Sequence, residues 1–422
     1  MTNLSALIFA LDEGAGMRSS ESKYTHRICG QATISYAAES AVEAGAVIIT
    51  VLSGQGSDRI KEILPEHTVL QTGKSTIWDS IWQERHLLDG MDGTLLVLPA
   101  DYPAISGETL AEAYRYHTGN NNQLTVLTNH KGDPSSICFF KIDSLRKVIE
   151  AAKSEAGEDP VTLSDILGTI KEADMRMGGY SLSDGEELLR VDDRIGLDKA
   201  ERVILGRIIR KHMENGVTFH LPETCYIHAR VKIGRDTVIM PGTILEGNTV
   251  IGERCVIGPY SRIEDSIVGN DVSFMNSVMT QSQIGDNTKV GPFAYIRPGS
   301  RIGSNIKIGD FVEIKNSVIG DNTKVPHLSY VGDADIGKGV NIGCGAIVVN
   351  YDGKVKHRTV VGDHAFVGCN VNLVSPVVVK DNAYIAAGST ITEEVPEYAL
   401  AIARSRQTII NDWVKRKGLD KK

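Results

Sequence analysis

The sequence is 422 residues long, with 41% hydrophobic residues, 23% charged residues and a net charge of -8. Length and composition predict a soluble globular protein of about two or three domains. The acidic balance argues against a nucleic-acid partner, and no run approaches the roughly 20 apolar residues of a membrane span. The six cysteines include no Cys-x-x-Cys pair, which favours reduced thiols in a cytoplasmic protein over a disulfide framework or a zinc site.

The first 190 residues alternate strand-like and helix-like patterns. Buried strands are predicted over 4–11, 46–52, 95–99 and 124–128, and helices over 34–44, 77–88 and 107–117. This order predicts an α/β Rossmann-like nucleotide-binding domain over 1–190. A helix over 198–216, N-capped by Asp198, is predicted to fill most of a linker assigned to 191–220.

A six-residue repeat dominates the second half of the chain. Aliphatic residues recur at this step in several runs, for example Ile233, Ile239, Leu245, Ile251, Ile257 and Ile263. A period of six fits neither an α-helix nor an ordinary strand. It predicts a left-handed parallel β-helix of three short strands per coil over 221–405, with Gly, Asn and Asp at the corners. A tail over 406–422, with a short helix from 407, follows.

Three stretches interrupt this repeat. His327 lies in Val-Pro-His-Leu-Ser-Tyr-Val-Gly-Asp-Ala, and Asn341 begins Asn-Ile-Gly-Cys-Gly. The stretch 350–359 must loop out of the coil. Loops on a rigid scaffold often carry function, so these interruptions predict the functional site. Arg297 precedes them in Arg-Pro-Gly, and Phe-Val-Glu-Ile-Lys contains Glu313 and Lys315.

These motifs carry a specific resemblance. In order and spacing, without a gap from Arg297 to Arg404, the stretch 291–405 resembles the acetyltransferase domain of the GlmU family. That family combines glucosamine-1-phosphate acetyltransferase and N-acetylglucosamine-1-phosphate uridyltransferase activities. The resemblance implies an acyltransferase that N-acetylates glucosamine 1-phosphate with acetyl-CoA, in UDP-N-acetylglucosamine synthesis for the cell wall. It also implies small-molecule substrates and a homotrimer with its sites between neighbouring prisms.

Roles follow for individual residues. His327 matches the general base that takes the proton of the acceptor amine, and Glu313 matches its acidic partner. Phosphate contacts are expected from Arg297, Lys315 and Lys356. Contacts to the sugar or acetyl group are expected from Tyr330, Asn341, Asn350 and Tyr351. Backbone N–H groups around Gly343 and Cys344 would meet the oxyanion. Acetyl-CoA is expected along the prism, near Cys344, Cys369, Ala387 and Arg404.

The first domain resembles the uridyltransferase half of the same family but departs from its motifs. Where the family has a glycine-rich triphosphate loop, this chain places Asp12 and Glu13, and Gly16 replaces an arginine. Trp78 is expected to crowd the uracil subsite, and the family's sugar-contacting segment is largely deleted between 129 and 143. Asp101 and Asp192 match the metal-binding pair, which could hold Mg²⁺. These departures predict a degenerate nucleotidyltransferase-like domain without uridyl transfer.

Three alternatives stay open at this point. The chain could be a bifunctional enzyme that also makes UDP-N-acetylglucosamine from UTP and N-acetylglucosamine 1-phosphate. It could be a non-catalytic scaffold or regulator of that pathway. It could also acetylate another amino-sugar phosphate, because the motifs predict a phosphate grip and leave sugar selectivity undetermined.

Overall fold

A computed structural model describes residues 3–12, 14–54 and 56–420. The chain separates into two compact units, Met1–Ile208 and Ile209–Lys422. The finer boundaries that the sequence suggests, at 190, 220 and 405, stay a prediction. Within the described residues, no helix is both long enough and apolar enough to cross a membrane.

A twisted, mostly parallel sheet forms the centre of the first unit. Its order is β5-β4-β1-β6-β8-β7-β9, in which β8 runs antiparallel to both of its neighbours. The strands are β1 Leu4–Ala10, β2 Arg27–Ile28, β3 Gln31–Ala32, β4 Ala46–Ser53, β5 Thr68–Gln71, β6 Thr94–Pro99, β7 Leu124–Thr128, β8 Pro134–Lys141 and β9 Met177–Ser181, of which β2 and β3 pair separately. The helices are α1 Thr33–Glu43, α2 Ser57–Ile63, α3 Ile77–Gln83, α4 Gly107–Gly119, α5 Ile142–Ala156, α6 Leu163–Glu172 and α7 Arg194–Glu214.

Alternation along the central strands divides the core between the two faces of this sheet. Ala6 and Ile8 of β1 pack with residues of α1 and α4, whereas Leu7 and Phe9 pack with residues of α3, α5 and α6. Strands covered on both faces are buried throughout, and all seven residues of β1 are buried. The α/β fold and the predicted strands are therefore confirmed, with ends shifted by a residue.

Two predicted helix boundaries differ in the structure. Helix α3 ends at Gln83, and a 3₁₀ turn, Arg85–Leu88, completes the segment predicted as one helix over 77–88. Helix α7 begins at Arg194 rather than after Asp198. The Asp193 carboxylate accepts the N–H of Gly196 at 2.7 Å and thus caps the helix, while Asp198 pairs with Arg202 one turn further on.

The second unit is a left-handed parallel β-helix with three faces. Face 1 is formed by Thr218–Phe219, Val238–Ile239, Val256–Ile257, Ser273–Phe274, Lys289–Val290, Lys307–Asp310, Lys324–His327, Asn341–Ile342, Phe366–Val367, Tyr384–Ile385 and Leu400–Ala401. Face 2 is formed by Tyr226–Ile227, Ile244–Glu246, Arg262–Glu264, Val278–Thr280, Tyr295–Ile296, Glu313–Lys315, Tyr330–Gly332, Ile347–Val349, Asn372–Val374 and Thr390–Ile391. Face 3 is formed by Lys232–Ile233, Val250–Ile251, Ile267–Val268, Gln283–Ile284, Arg301–Ile302, Val318–Ile319, Ala334–Ile336, Thr359–Val361 and Val378–Val379.

The predicted repeat sets the register of these faces. Ile239 pairs with Ile257 and Leu245 with Ile263, each one coil later, and all four side chains are buried inside the prism. The hexad prediction is thereby confirmed. Of the tail residues up to 420, which the structure describes, only Trp413–Arg416 is helical, a shorter helix than the sequence predicts from residue 407.

Most corners carry the expected Gly, Asn or Asp, among them Gly242, Asn276 and Asn370 at the turn from face 1 to face 2, but four bulky residues depart from this pattern. Where face 1 turns into face 2, Tyr260, Phe293, Phe311 and Leu328 hold φ between 47° and 61°, a left-handed conformation that large side chains rarely adopt. Each is more than half exposed, and the rings of Phe293 and Phe311 stack with centroids 5.4 Å apart. We call these four residues the apolar corner.

Candidate functional site

His327 ends a strand of face 1, directly before Leu328 of the apolar corner. Its Nδ1 lies 2.5 Å from Oδ1 of Asp310, which occupies the same register position one coil earlier. This hydrogen bond holds the pKa of the Asp310 carboxyl below its usual value. Because Nδ1 faces the carboxylate, proton exchange with a substrate falls to Nε2.

The partner of His327 differs from the one that the sequence suggests. Glu313 was expected to hold the histidine ring, but its carboxylate accepts from Arg297 at 2.7 Å. Asp310 takes that position because the strands Lys307–Asp310 and Lys324–His327 pair directly. A signal for it exists in the sequence, since Asp310-Phe311 repeats the placement of His327-Leu328 one coil earlier.

The residues expected near acetyl-CoA continue the line of His327 along the prism. The N–H of Gly345 donates to the carbonyl of His327 at 3.4 Å. On the following coils, the N–H of Asn370 donates to the carbonyl of Cys344 at 2.8 Å, and the N–H of Gly388 donates to the carbonyl of Cys369 at 2.8 Å. Arg404 donates to the carbonyl of Ala387 at 3.0 Å. Asp310, His327, Cys344, Cys369, Ala387 and Arg404 thus fall on consecutive coils, and we call them the corner column.

A second cluster lies where face 2 turns into face 3. Asp333 is 7% exposed and accepts from Asn316 at 2.6 Å, from Lys315 at 3.4 Å and from the amide of Asn350. The amide of Asn350 also lies 3.4 Å from the hydroxyl of Tyr330. Asp333 therefore orients two residues expected to bind substrate, although sequence reasoning gave it no role.

Positive charge exceeds negative charge around this cluster. Lys356 lies against Lys315. The positive charges of Lys315 and, to a smaller extent, Arg297 lower the pKa of the Lys356 ammonium. The carboxylate of Asp333, 3.4 Å from the ammonium of Lys315, favours the protonated form and raises the pKa of Lys315. Three cations thus face two carboxylates, those of Asp333 and Glu313. Such an excess attracts an anion.

Internal bonds shape the loop that carries Lys356. Tyr351 pairs with Lys356 as an isolated antiparallel bridge, and the Tyr351 hydroxyl donates to the carbonyl of Gly353 at 2.7 Å. The Asp352 carboxylate accepts the N–H groups of Lys354 and Val355. The loop follows the predicted break, and it places Tyr351, 55% exposed, at the surface.

The corner column and the cation cluster lie on opposite edges of face 2. The strand Tyr330–Gly332 separates them, a span of roughly 10 Å. Asn341 lies on face 1, at the start of a strand that leads to Cys344, away from the cations. Each chain therefore presents two half-sites.

The first unit contains a cavity of about 180 Å³ at the carboxyl ends of β1 and β6. Its lining includes Asp12, Tyr24, Ser75, Asp101 and Arg190. Trp78, expected in the nucleotide site, instead packs edge-on against Phe140 in the core. Ile77 takes the place at the cavity, because the indole lies on the apolar side of α3.

The loop after β1 is closed by its own side chains. Asp12 accepts the N–H of Gly14 at 2.9 Å and the Lys23 ammonium at 3.2 Å. A β-carbon on Gly16 would lie 2.5 Å from the carbonyl oxygen of Asp192, so no arginine fits there without movement. Glu13 lies outside the described residues.

The expected metal pair, Asp101 and Asp192, is bridged by cations of the chain itself. Lys23 Nζ lies 2.9 Å from Asp101 and 2.8 Å from Asp192, and Arg190 Nε lies 2.8 Å from Asp101 and 3.2 Å from Asp192. Burial opposes the charge of Lys23, but Asp101 and Asp192 outweigh it and raise the pKa of that ammonium. In the described part of the chain, no group of three or more His, Cys, Asp or Glu is arranged to hold a metal ion.

These features define a two-domain transferase with a nucleotidyltransferase-like sheet and a hexapeptide-repeat prism. Family models agree: residues 230–265 match the bacterial transferase hexapeptide repeat, and residues 278–395 match the GMPPB C-terminal domain. A solved nucleotidyl transferase from Methanothermobacter thermautotroptrophicus covers 49% of this chain and 99% of its own, with 17% identity and a TM-score of 0.40, a likeness too low to support a conclusion.

Curated relatives match the whole chain. The bifunctional protein GlmU of Acetivibrio thermocellus is 42% identical over 455 residues, covering 99% of each chain. Those of Caldanaerobacter subterraneus subsp. tengcongensis and Clostridium beijerinckii are 44% and 40% identical, each over 452 residues, again with 99% of both chains covered. The chain belongs to the bifunctional GlmU family, which confirms the resemblance carried by its motifs.

Proposed function

We propose that this protein N-acetylates glucosamine 1-phosphate with acetyl-CoA, a cytoplasmic step in UDP-N-acetylglucosamine synthesis. The observation that carries the proposal is the pair of half-sites on the prism. One holds a histidine bonded to a carboxylate, and the other holds an excess of cations. Both lie within the segment that shares its motifs with the family.

Proton transfer is assigned to His327. Its Nε2 takes a proton from the ammonium of the acceptor sugar, and Asp310 stabilises the resulting imidazolium. The freed amine attacks the thioester carbonyl and forms a C–N bond. The carbonyl oxygen becomes an oxyanion that backbone N–H groups around Gly343 and Cys344 stabilise. Collapse of this intermediate breaks the C–S bond. The imidazolium of His327 gives its proton to the departing sulfur, so coenzyme A leaves as the thiol, and the nitrogen of the new amide releases its second proton to solvent.

The phosphate of the acceptor is assigned to Arg297, Lys315 and Lys356. Three cations face two carboxylates here, and the negative charge of a bound phosphate offsets the repulsion that remains between the cations. Arg297 can grip two oxygens, while the lysines act as point charges. Asn350, Tyr351, Tyr330 and Asn341 are left to contact the sugar or the acetyl group.

Acetyl-CoA is assigned to the corner column. Cys344, Cys369 and Ala387 are small residues on successive coils above His327, so an extended ligand can lie close to the backbone there. Arg404 ends the column and provides a cation for a phosphate of coenzyme A.

Assembly into a homotrimer is proposed to join the half-sites. In one chain, the apolar corner exposes Tyr260, Phe293, Phe311 and Leu328 next to His327. Phe293, Phe311 and Leu328 follow one another on consecutive coils, whereas Asn276 lies between Tyr260 and Phe293. An exposed apolar patch of this kind marks an interaction surface. A neighbouring prism seated there would cover these side chains and bring its own cations toward His327.

Uridyl transfer is the second candidate function. The word "bifunctional" in the names of the relatives favours it. The structure of the first unit opposes it, because Asp12 occupies the N–H of Gly14 and the ammonium of Lys23, two groups suited to a phosphate. A turn over 129–133 joins β7 to β8, at the position where the resemblance predicts that the family's sugar-contacting segment is largely deleted. We expect no uridyl transfer, with the domain retained for structure, assembly or regulation.

Two assays on one preparation test these assignments. Thiol release from acetyl-CoA with glucosamine 1-phosphate should be rapid, and pyrophosphate release from UTP with N-acetylglucosamine 1-phosphate should stay at background. Thiol release with other amino-sugar phosphates measures selectivity. Absence of thiol release from every acceptor would favour a scaffold or regulator, and rapid pyrophosphate release would establish the bifunctional enzyme.

A further inference from the structure

We infer that Lys23 is the built-in cation of the first unit and stands where the family resemblance places Mg²⁺. The inference goes beyond acetyl transfer, because it concerns the carboxylates beside the cavity of the first unit. It also argues against the expectation that Asp101 and Asp192 hold a metal.

The contacts of the Lys23 ammonium match its chemistry. An ammonium group has three N–H donors, and three carboxylates lie around Nζ, at 2.8 Å for Asp192, 2.9 Å for Asp101 and 3.2 Å for Asp12. The side chain of Lys23 is fully buried. Its donors are therefore all used within the chain.

Packing holds the ammonium in this position. A β-carbon on Gly14 would lie 2.8 Å from the β-carbon of Lys23 and 3.1 Å from its γ-carbon, so the loop presses directly on the lysine stem. Gly14 has φ of +72°, where glycine is favoured. For Lys23 to leave, this loop would have to open and three carboxylates would lose their shared partner.

The same carboxylates do not fit a magnesium ion. Mg²⁺ requires oxygen ligands at about 2.0–2.1 Å in near-octahedral geometry. Lys23 and Arg190 both bond Asp101 Oδ2, and they take one oxygen each of Asp192. A divalent ion at this point would stand beside two fixed cations, and Coulomb repulsion in a partly buried site opposes that.

One atom is left over. Asp101 Oδ1 is buried and has no hydrogen-bond partner in the structure, and Asp101 lines the cavity. A single hydroxyl or amine donor would satisfy this oxygen. It cannot form a magnesium site alone, because the neighbouring oxygens are already bonded to Lys23 and Arg190.

Manganese binding to the full-length protein, followed by electron paramagnetic resonance, tests the inference. The wild type and a Lys131→Met control, which removes an exposed lysine of the same unit, should bind no Mn²⁺ at the first unit. Lys23→Met exposes the carboxylates and should raise Mn²⁺ affinity by at least about tenfold, and adding Asp101→Asn should remove this gain. Micromolar Mn²⁺ binding by the wild type that Asp101→Asn abolishes would overturn the inference, as would a Lys23→Met variant that folds yet gains no affinity.

A second measurement needs no substitution, in case Lys23→Met fails to fold. Lysine side chains are acylated with acetic anhydride and quantified by mass spectrometry, with and without millimolar Mg²⁺. Lys23 should stay protected in both samples, while Lys131 reacts in both. Magnesium-dependent exposure of Lys23 would show that the metal displaces it. Acetyl transfer, measured on the same samples before labelling, reports separately on the proposed function.

Discussion

The two units differ in which sign of charge is in excess among their clustered side chains. In the first, the carboxylates of Asp12, Asp101 and Asp192 outnumber the cations Lys23 and Arg190. In the second, the cations Arg297, Lys315 and Lys356 outnumber the carboxylates Glu313 and Asp333. A basic residue binds an anionic ligand only if its charge is not already matched. Retained lysines alone therefore do not indicate a retained phosphate site.

A second difference between the two units is whether the charged groups of a site contact each other within one chain. The carboxylates and cations of the first unit contact each other directly, whereas the two half-sites of the prism are separated by face 2. The largest predicted effect follows from this. Phe311→Asp places a charge in the apolar corner and should dissociate the proposed trimer, with nearly complete loss of the proposed acetyl transfer. Light scattering and thiol release check it, with Val318→Asp on face 3 as the control. An active Phe311→Asp monomer would show that one chain holds a full site.

A general base should matter next. His327→Ala should lower the turnover of acetyl transfer by about 10²–10⁴-fold, because the acceptor amine loses its proton acceptor. Steady-state thiol release measures this. His364→Ala removes another exposed histidine of the prism and should leave turnover unchanged. Turnover near that of the wild type in His327→Ala, with amine attack still rate-limiting, would remove His327 from the mechanism.

The cation excess predicts a smaller, selective effect. Lys315→Met should raise KM for the sugar phosphate by about 10- to 100-fold, the size expected for one charged hydrogen bond, with little change in KM for acetyl-CoA. Lys289→Met, on face 1, serves as the matched control. Equal increases in both KM values would indicate a structural role for Lys315 instead of a phosphate contact.

For the first unit, the comparison predicts weak binding of UTP, and one substitution should not be enough to restore tight binding. Calorimetry with UTP and Mg²⁺ should show no tight binding by the wild type. Asp12→Gly restores the family's glycine and should improve affinity by less than about tenfold, because Gly16 still lacks the arginine's charged hydrogen bonds. A micromolar dissociation constant for the wild type, with pyrophosphate release, would contradict the degenerate interpretation.

The smallest effect concerns pH and the loop that carries Lys356. The N–H of Val355 and then the ring of His357 hold the pKa of Asp352 below its usual value. A carboxyl with a lowered folded-state pKa stabilises the loop above its ordinary pKa of about 4, and this contribution is lost as pH falls further. The protection factors of the Lys354 and Val355 amides, which are exchange rates corrected for the intrinsic effect of pH, should therefore fall only in acid. Protection factors that already fall between pH 7 and 5 would show that a group other than Asp352 controls the order of the loop.

The prism was predictable because its repeat is redundant. Ile239, Ile257 and their counterparts report the same register many times, so a single departure does not hide it. The bulky corners at Phe293 and Phe311 were not predictable from residue preference, since large side chains rarely adopt the left-handed backbone conformation found there.

Pairings between charged groups were harder to predict than their positions. The motifs located Glu313 and His327, yet the register brought Asp310 to the histidine. Asp101 and Asp192 were recognised from the sequence, but only the fold shows that they share the ammonium of Lys23, which lies 78 and 169 positions away from them. Such contacts depend on three-dimensional proximity, which local motifs do not encode.

The corner column has a consequence for ligand length. Each coil advances about 4.8 Å, so the four steps from His327 to Arg404 span roughly 19 Å in equal increments. The number of coils in the corner column therefore sets the length of an extended cosubstrate that can lie along it. Deleting one whole coil between Cys344 and Arg404 would shorten the span by a single increment without disturbing the stacking above and below. The shortened column would then favour a cosubstrate with a shorter arm between its reactive carbonyl and its distal charge.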